Sequence, residues 1–78
     1  MLIHSPKDLA LFVLTHRKKM KLSQGALAER VGLKQQTVSA FEKQPERTKV
    51  DTLFRILSAV HLDIMINPKT IENTHTEW

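Results

Sequence analysis

Lys34, Gln35, Gln36 and Ser39 place four hydrogen-bonding side chains within six residues, three in a row and one a helical turn later. Their chemistry is that of base-edge recognition. Lysine donates to guanine O6 and N7, a glutamine carboxamide pairs bidentately with adenine N6 and N7, and a serine hydroxyl serves either base. Once the apolar Val38 and Phe41 are assigned to the inner face of a helix, these four remain on its outer face. A second set suits phosphate oxygens. Ser23 and Gln24 start one helix, Thr37 and Lys43 flank the readers, and Arg47 and Lys49 bracket a later helix start. Arg17 and Lys18 add cations at the end of the first helix.

Positioning such groups requires rigid helices, and the chain marks their ends. Ser5-Pro6-Lys7-Asp8 reads as a cap, a proline at the first helical position and an S-x-x-D capping pattern. Leu9, Phe12, Val13, His16 and Met20 then recur at helical steps as one inward face. A second helix opens at Ser23, turns Leu27, Ala28 and Val31 inward, and stops at Gly32, a residue suited to a left-handed helix end. A third spans about Gln35 to Lys43. Gln44 to Arg47 reads as a loop. Thr48 and Asp51 form a T-x-x-D pattern opening a fourth helix, with Val50, Leu53, Phe54, Leu57 and Val60 facing in.

Two of these helices must cross steeply over a tight turn. That requires a small residue at their contact, Ala28, a glycine in the turn, Gly32, and apolar anchors on both: Leu27, Val31, Leu33, Val38 and Phe41. The spacing is that of a helix-turn-helix. An ordinary helical hairpin would not need all of these together. The run L-S-Q-x-x-L-A-x-x-V-G-L…T-V-S-x-F-E resembles the Cro/C1-type repressor family, over about residues 7–62.

Beyond the fourth helix the pattern changes to strict alternation. Leu62, Ile64 and Ile66 share one side of a six-residue strand that Pro68 ends. A lone strand leaves its N–H and C=O groups unpaired. The same strand from a second copy would satisfy them, so a two-fold homodimer is expected. The alternative is a strand lying on its own domain. The expected fold is therefore mainly α: a four-helix helix-turn-helix and dimerisation domain over residues 1–67, ending in that strand. Residues 68–78 are expected to form a flexible tail, in which the sole tryptophan, Trp78, follows Glu77.

The S-P-x-x-L-A start, the G-L-K-Q-x-T-V-S-x-F-E segment, the F-x-I-L-x-x-x-x-L-x-I approach to the strand and the Glu77-Trp78 ending resemble the HipB antitoxin family. Its members neutralise HipA-type serine/threonine kinase toxins. The resemblance implies a homodimer on palindromic operators of its own operon, with a HipA-like kinase toxin as second partner. It assigns base reading to Lys34, Gln35 and Ser39, puts Gln36 where small residues also occur, and gives Trp78 a kinase contact. A tryptophan beside a carboxylate is also a strong anchor on general grounds.

Composition narrows the classes. Residues 1–61 carry eleven Lys/Arg against five Asp/Glu, the charge balance of a nucleic-acid binder. The absence of cysteine excludes disulfides and thiolate metal sites. His4, His16, His61 and His75 are scattered, no phosphate loop or catalytic triad is evident, and neither enzyme activity, metal nor cofactor is expected. With no signal-like N-terminus and no spanning apolar run, a cytoplasmic protein is expected. The rival readings are a stand-alone repressor without a toxin, a peripheral-membrane protein anchored by Leu9–Lys21, and an RNA-binding module. The membrane reading leaves the Ala28/Gly32 spacing unexplained, and the chain is poor in aromatics for RNA stacking.

Overall fold

The computed structural model describes residues 2–69. Within them the order is α1 (Pro6–Lys19), α2 (Gln24–Arg30), α3 (Gln35–Lys43), a 3₁₀ turn (Pro45–Arg47) and α4 (Val50–Ala59). The Ser5 Oγ accepts the Asp8 N–H at 3.0 Å, and the Ser23 Oγ accepts that of Ala26 at the same distance. Both serines thus supply the acceptor that an open helix start lacks. The Asp8 carboxylate accepts the N–H of His4, just ahead of the cap.

The start of α4 departs from the expected T-x-x-D box. Gln44 to Arg47 is not an irregular loop but leads into the 3₁₀ turn, with Pro45 buried. The Thr48 N–H closes that turn on the Pro45 carbonyl at 3.1 Å. Thr48 is therefore spent ending one element, and Lys49 becomes the N-cap of α4 without a side-chain cap bond.

Three helices end alike. After α1, the N–H groups of Lys21 and Leu22 reach back to Lys18 and Arg17 carbonyls at 2.9 and 3.1 Å. After α4, His61 and Leu62 do the same to Ser58 and Leu57 at 3.1 and 3.0 Å. After α2, Leu33 bonds to the Ala28 carbonyl at 2.9 Å. Each ending needs one left-handed residue. Gly32 supplies it at φ 68°, but Lys21 and His61 adopt φ 57° and 58° with a Cβ present. A left-handed L-residue costs roughly 1–2 kcal/mol. Because a Cβ at Gly32 would meet nothing within 4 Å, Gly32→Ala tests backbone strain alone. It is expected to cost about 1 kcal/mol, and Lys21→Gly to gain somewhat less, since glycine also loosens the unfolded chain. Urea midpoints of the two variants should shift in opposite directions.

The core gathers Ala10 and Val13 from α1, Leu27 and Ala28 from α2, Val38 and Phe41 from α3, and Ile56, Leu57, Ala59 and Val60 around the end of α4. Leu9, Met20, Leu22, Val31, Leu33, Leu53 and Leu62 pack against it. Two polar bonds tie the end of α4 into place. The His16 Nε2–H donates to the Val60 carbonyl at 3.1 Å, and the Arg30 Nη1 to that of Ala59 at 3.0 Å.

Not every apolar residue at helical spacing faces in. Val50 is 68% exposed and Phe54 56%, and Phe12 lies at the surface, its ring stacked on His16. The apolar stripe of α4 is wider than the core it meets: Ile56, Leu57 and Val60 fill the inner side, so the residues a further step around it reach solvent. The predicted strand forms no ladder among the described residues; residues 62–69 carry no regular secondary structure. Among the described residues there is no second strand for it to pair with. Leu62 is half-buried, whereas Ile64 and Ile66 are exposed. They line a groove of about 710 Å³ together with Phe54, Leu57 and Leu62. Most of the tail, with Glu77 and Trp78, lies outside the described residues.

Candidate nucleic-acid interface

α2 and α3 make the most extensive contact of any two elements. Ala28, 2% exposed, lets them approach closely, and Gly32 reverses the chain between them. Val38 and Phe41 anchor α3 by its inner side. The outer side is thereby fixed. Gln35, Gln36, Ser39, Ala40, Lys43 and Gln44 line one shallow depression of about 700 Å³, and Lys34 stands just ahead of it as the N-cap. Lys34, Gln35 and Gln36 are exposed and Ser39 half-exposed. The four predicted readers therefore lie on one surface at the N-terminal half of α3, where a recognition helix meets base edges.

The predicted phosphate-contacting residues separate into two groups. Lys18, Lys43, Arg47 and Lys49 are exposed, Thr37 is half-buried on the flank of α3, and Ser23 keeps its hydroxyl proton free while its oxygen caps α2. The two helices whose N-termini lack a side-chain cap are α3 and α4, and these are the two that start on Lys34 and Lys49. Unpaired N–H groups beside a cation suit a phosphate oxygen.

Arg17 does not belong with them. It is buried at 8% exposure. Its Nε donates to Glu42 Oε2 at 2.8 Å, its Nη2 to Glu42 Oε1 at 3.2 Å, and its Nη1 to the Leu22 carbonyl at 2.8 Å. A guanidinium so occupied ties α1, the entry to α2 and the end of α3 together, and faces no phosphate. Gln24 is committed too. Its Nε2 donates to Glu42 Oε1 at 2.8 Å, and its Oε1 accepts from Gln35 Nε2 at 3.2 Å. The chain Arg17–Glu42–Gln24–Gln35 thus runs from the interior to the reading surface. Sequence reasoning did not single out Glu42. The one signal was its place as the final letter of the T-V-S-x-F-E run, one residue after the core anchor Phe41.

The helix-turn-helix family pattern matches residues 15–64, which span this whole arrangement. The antitoxin HipB of Escherichia coli strain K12 is 33% identical, covering 97% of this chain and 93% of its own length. The chain belongs to the helix-turn-helix family of HipB antitoxins. Solved structures of that family superpose closely. A HipB–O4 20-mer complex gives a TM-score of 0.86 and a HipA–HipB–O2–O3 complex 0.87, each at 33% identity over 90% of this chain and 99% of theirs. As a HipB-family antitoxin, the chain keeps four helices and the paired α2–α3 unit as its main frame. No helix among the described residues is long and apolar enough to cross a membrane, and they hold no cluster of three metal-ligating side chains.

Proposed function

We propose that this chain is the operator-binding autorepressor and antitoxin of a toxin–antitoxin module, acting by binding rather than by catalysis, in the cytoplasm. The observation that carries the DNA half is the outer face of α3. Lys34, Gln35, Gln36 and Ser39 stand together at the start of a helix held by Val38 and Phe41. Lys43, Arg47, Lys49, Lys18, Thr37 and Ser23 are proposed as its phosphate contacts. The HipB–O4 20-mer relative supports this use of the fold. Gel shifts with duplex DNA from upstream of its own gene test it: a retarded band resisting excess unrelated duplex is expected, and equal competition by any duplex would reject sequence-specific repression.

A homodimer is part of the reading. The groove is open in the single chain, with Phe54, Leu57, Leu62, Ile64 and Ile66 as its apolar lining beside Ser58, His61 and Asp63, and residues 62–67 alternate as a strand does. A second copy, pairing these residues across a two-fold axis, would cover both. Half-sites about one helical turn, or a multiple of it, apart then follow.

Phosphate contacts have their own signature. Lys43→Gln is expected to weaken operator and unrelated DNA alike, and to reduce the slope of log K against log salt by about one. Titrations at several salt concentrations read this directly.

The second partner is a HipA-like kinase toxin, in keeping with the HipA–HipB–O2–O3 relative. Trp78, with Glu77, is proposed as the anchor for it, since tryptophan is among the side chains that most often dominate an interface. Trp78→Ala is expected to leave operator binding unchanged and to weaken capture of a HipA-like kinase. Unchanged capture would remove Trp78 from the interface.

A further inference from the structure

Gln35 has a carboxamide whose two ends differ in chemistry and nearly match in shape. It can read adenine only when the oxygen and the nitrogen stand in the order that adenine N6 and N7 require. A free glutamine presents both orders. In this structure it does not, and the reason lies 7 residues further along α3, at the buried Glu42.

The carboxylate of Glu42 accepts hydrogen bonds and donates none. Its side chain is 8% exposed, and Oε1 accepts from Gln24 Nε2 at 2.8 Å. Only the nitrogen end of the Gln24 carboxamide can face a carboxylate, so its oxygen must point away. That oxygen accepts from Gln35 Nε2 at 3.2 Å. The nitrogen of Gln35 is therefore turned toward Gln24, and its oxygen is left for the groove with the remaining N–H. Arg17 holds the head of this relay by gripping both oxygens of Glu42. The charge type at position 42 thus fixes the order of two successive amides without touching DNA.

We propose that Glu42 is a positioning residue for base recognition, one that sets the donor–acceptor order of Gln35 through Gln24. This rests on the DNA reading above and deepens it. With a glutamine at position 42 the order is no longer imposed, because that amide can offer its oxygen to the Gln24 nitrogen or its nitrogen to the Gln24 oxygen. A carboxylate placed at position 24 instead would restore it, since it too only accepts and faces Gln35 directly.

The test selects preferred sites from a random duplex library with the full chain, and scores each base position. Gln35→Ala first identifies the position that Gln35 reads. Glu42→Gln, nearly unchanged in shape, is expected to lower the preference at that position roughly tenfold, with the positions dependent on Lys34 and Ser39 and the salt slope retained. Gln24→Leu, which leaves the Arg17–Glu42 pair intact, is expected to show the same loss. The double variant Glu42→Gln with Gln24→Glu is expected to recover the preference, which a merely structural role for Glu42 would not predict. Folding of each variant is confirmed by its thermal melt. Should Glu42→Gln fail to fold, the result with Gln24→Leu decides alone. An unchanged preference in folded Glu42→Gln or Gln24→Leu overturns the relay while leaving the DNA reading standing. Selection of no sequence by the parent chain overturns both.

Discussion

Arg17→Ala is expected to destabilise the domain by about 3–5 kcal/mol, the usual consequence of leaving one member of a buried ion pair without its partner. Domains of this kind hold about 5–15 kcal/mol in total, so the variant is expected to be largely unfolded at moderate urea. The physical reason is what remains behind. The Glu42 carboxylate would keep only Gln24 as a donor, and the Leu22 carbonyl would lose the Nη1–H it now accepts at 2.8 Å. The contrast is the double variant Arg17→Met with Glu42→Leu, which removes both charges and fills their volume. It is expected to return within about 1–2 kcal/mol of the parent, because the pair spends most of its attraction on its own desolvation. Urea unfolding followed by circular dichroism measures both. The same double variant separates two roles for Arg17. If the guanidinium touched phosphate, the salt slope of DNA binding would fall by about one. Burial against Glu42 predicts that it does not fall.

Arg17 also shows where the sequence misleads. In a run of Arg17, Lys18, Lys19 and Lys21, all four carry the same charge at the basic end of one helix, and only the guanidinium of the first sets it apart. Position 17 lies one helical turn beyond Val13 and so shares the inner side of α1, but only the arrangement of helices shows that it meets Glu42 from α3. Long-range pairing of two charges, 25 residues apart, leaves no periodic trace. What periodicity does record is legible. The turn at Gly32, the caps at Ser5 and Ser23, and the span Gln35–Lys43 stand where local rules put them, because each depends on neighbours within one helical turn. The expected Thr48 cap does not form, for a related reason. A T-x-x-D pattern states a local preference, and the 3₁₀ turn that Pro45 begins claims the same N–H first. The reading face of α3 was legible by subtraction, since burying Val38 and Phe41 leaves little choice for Lys34, Gln35, Gln36 and Ser39. Gln24 was legible as a polar residue at a helix start but not as a link. Its partner at 2.8 Å lies on another helix.

The surplus apolar surface is the basis for the second large effect. Ile66 is 87% exposed and Ile64 45%, beside a Phe54 that is itself more than half exposed. A small domain has little reason to display these side chains in water unless something covers them. Ile66→Asp is therefore a sharp substitution. In the single chain it replaces a solvated side chain with another, so the monomer is expected to unfold at nearly the same urea concentration. Across a two-fold axis it buries a carboxylate in an apolar contact and sets it near its own copy, which is strongly unfavourable. The dimer is expected to dissociate in sedimentation velocity at concentrations where the parent remains paired. DNA binding should then fall far more than one contact explains. Two linked recognition helices on two half-sites bind with an advantage of about 10²–10⁴ over one, and a monomer forfeits it. Half-site affinity, by contrast, should be unchanged, because Lys34, Gln35, Gln36 and Ser39 lie on a different element from position 66. A gel shift with a single half-site and with the full operator distinguishes the two effects. If Ile66→Asp stays dimeric and binds the full operator like the parent, the strand-mediated dimer is wrong. The exposed row of Phe54, Ile64 and Ile66 would then belong to another partner.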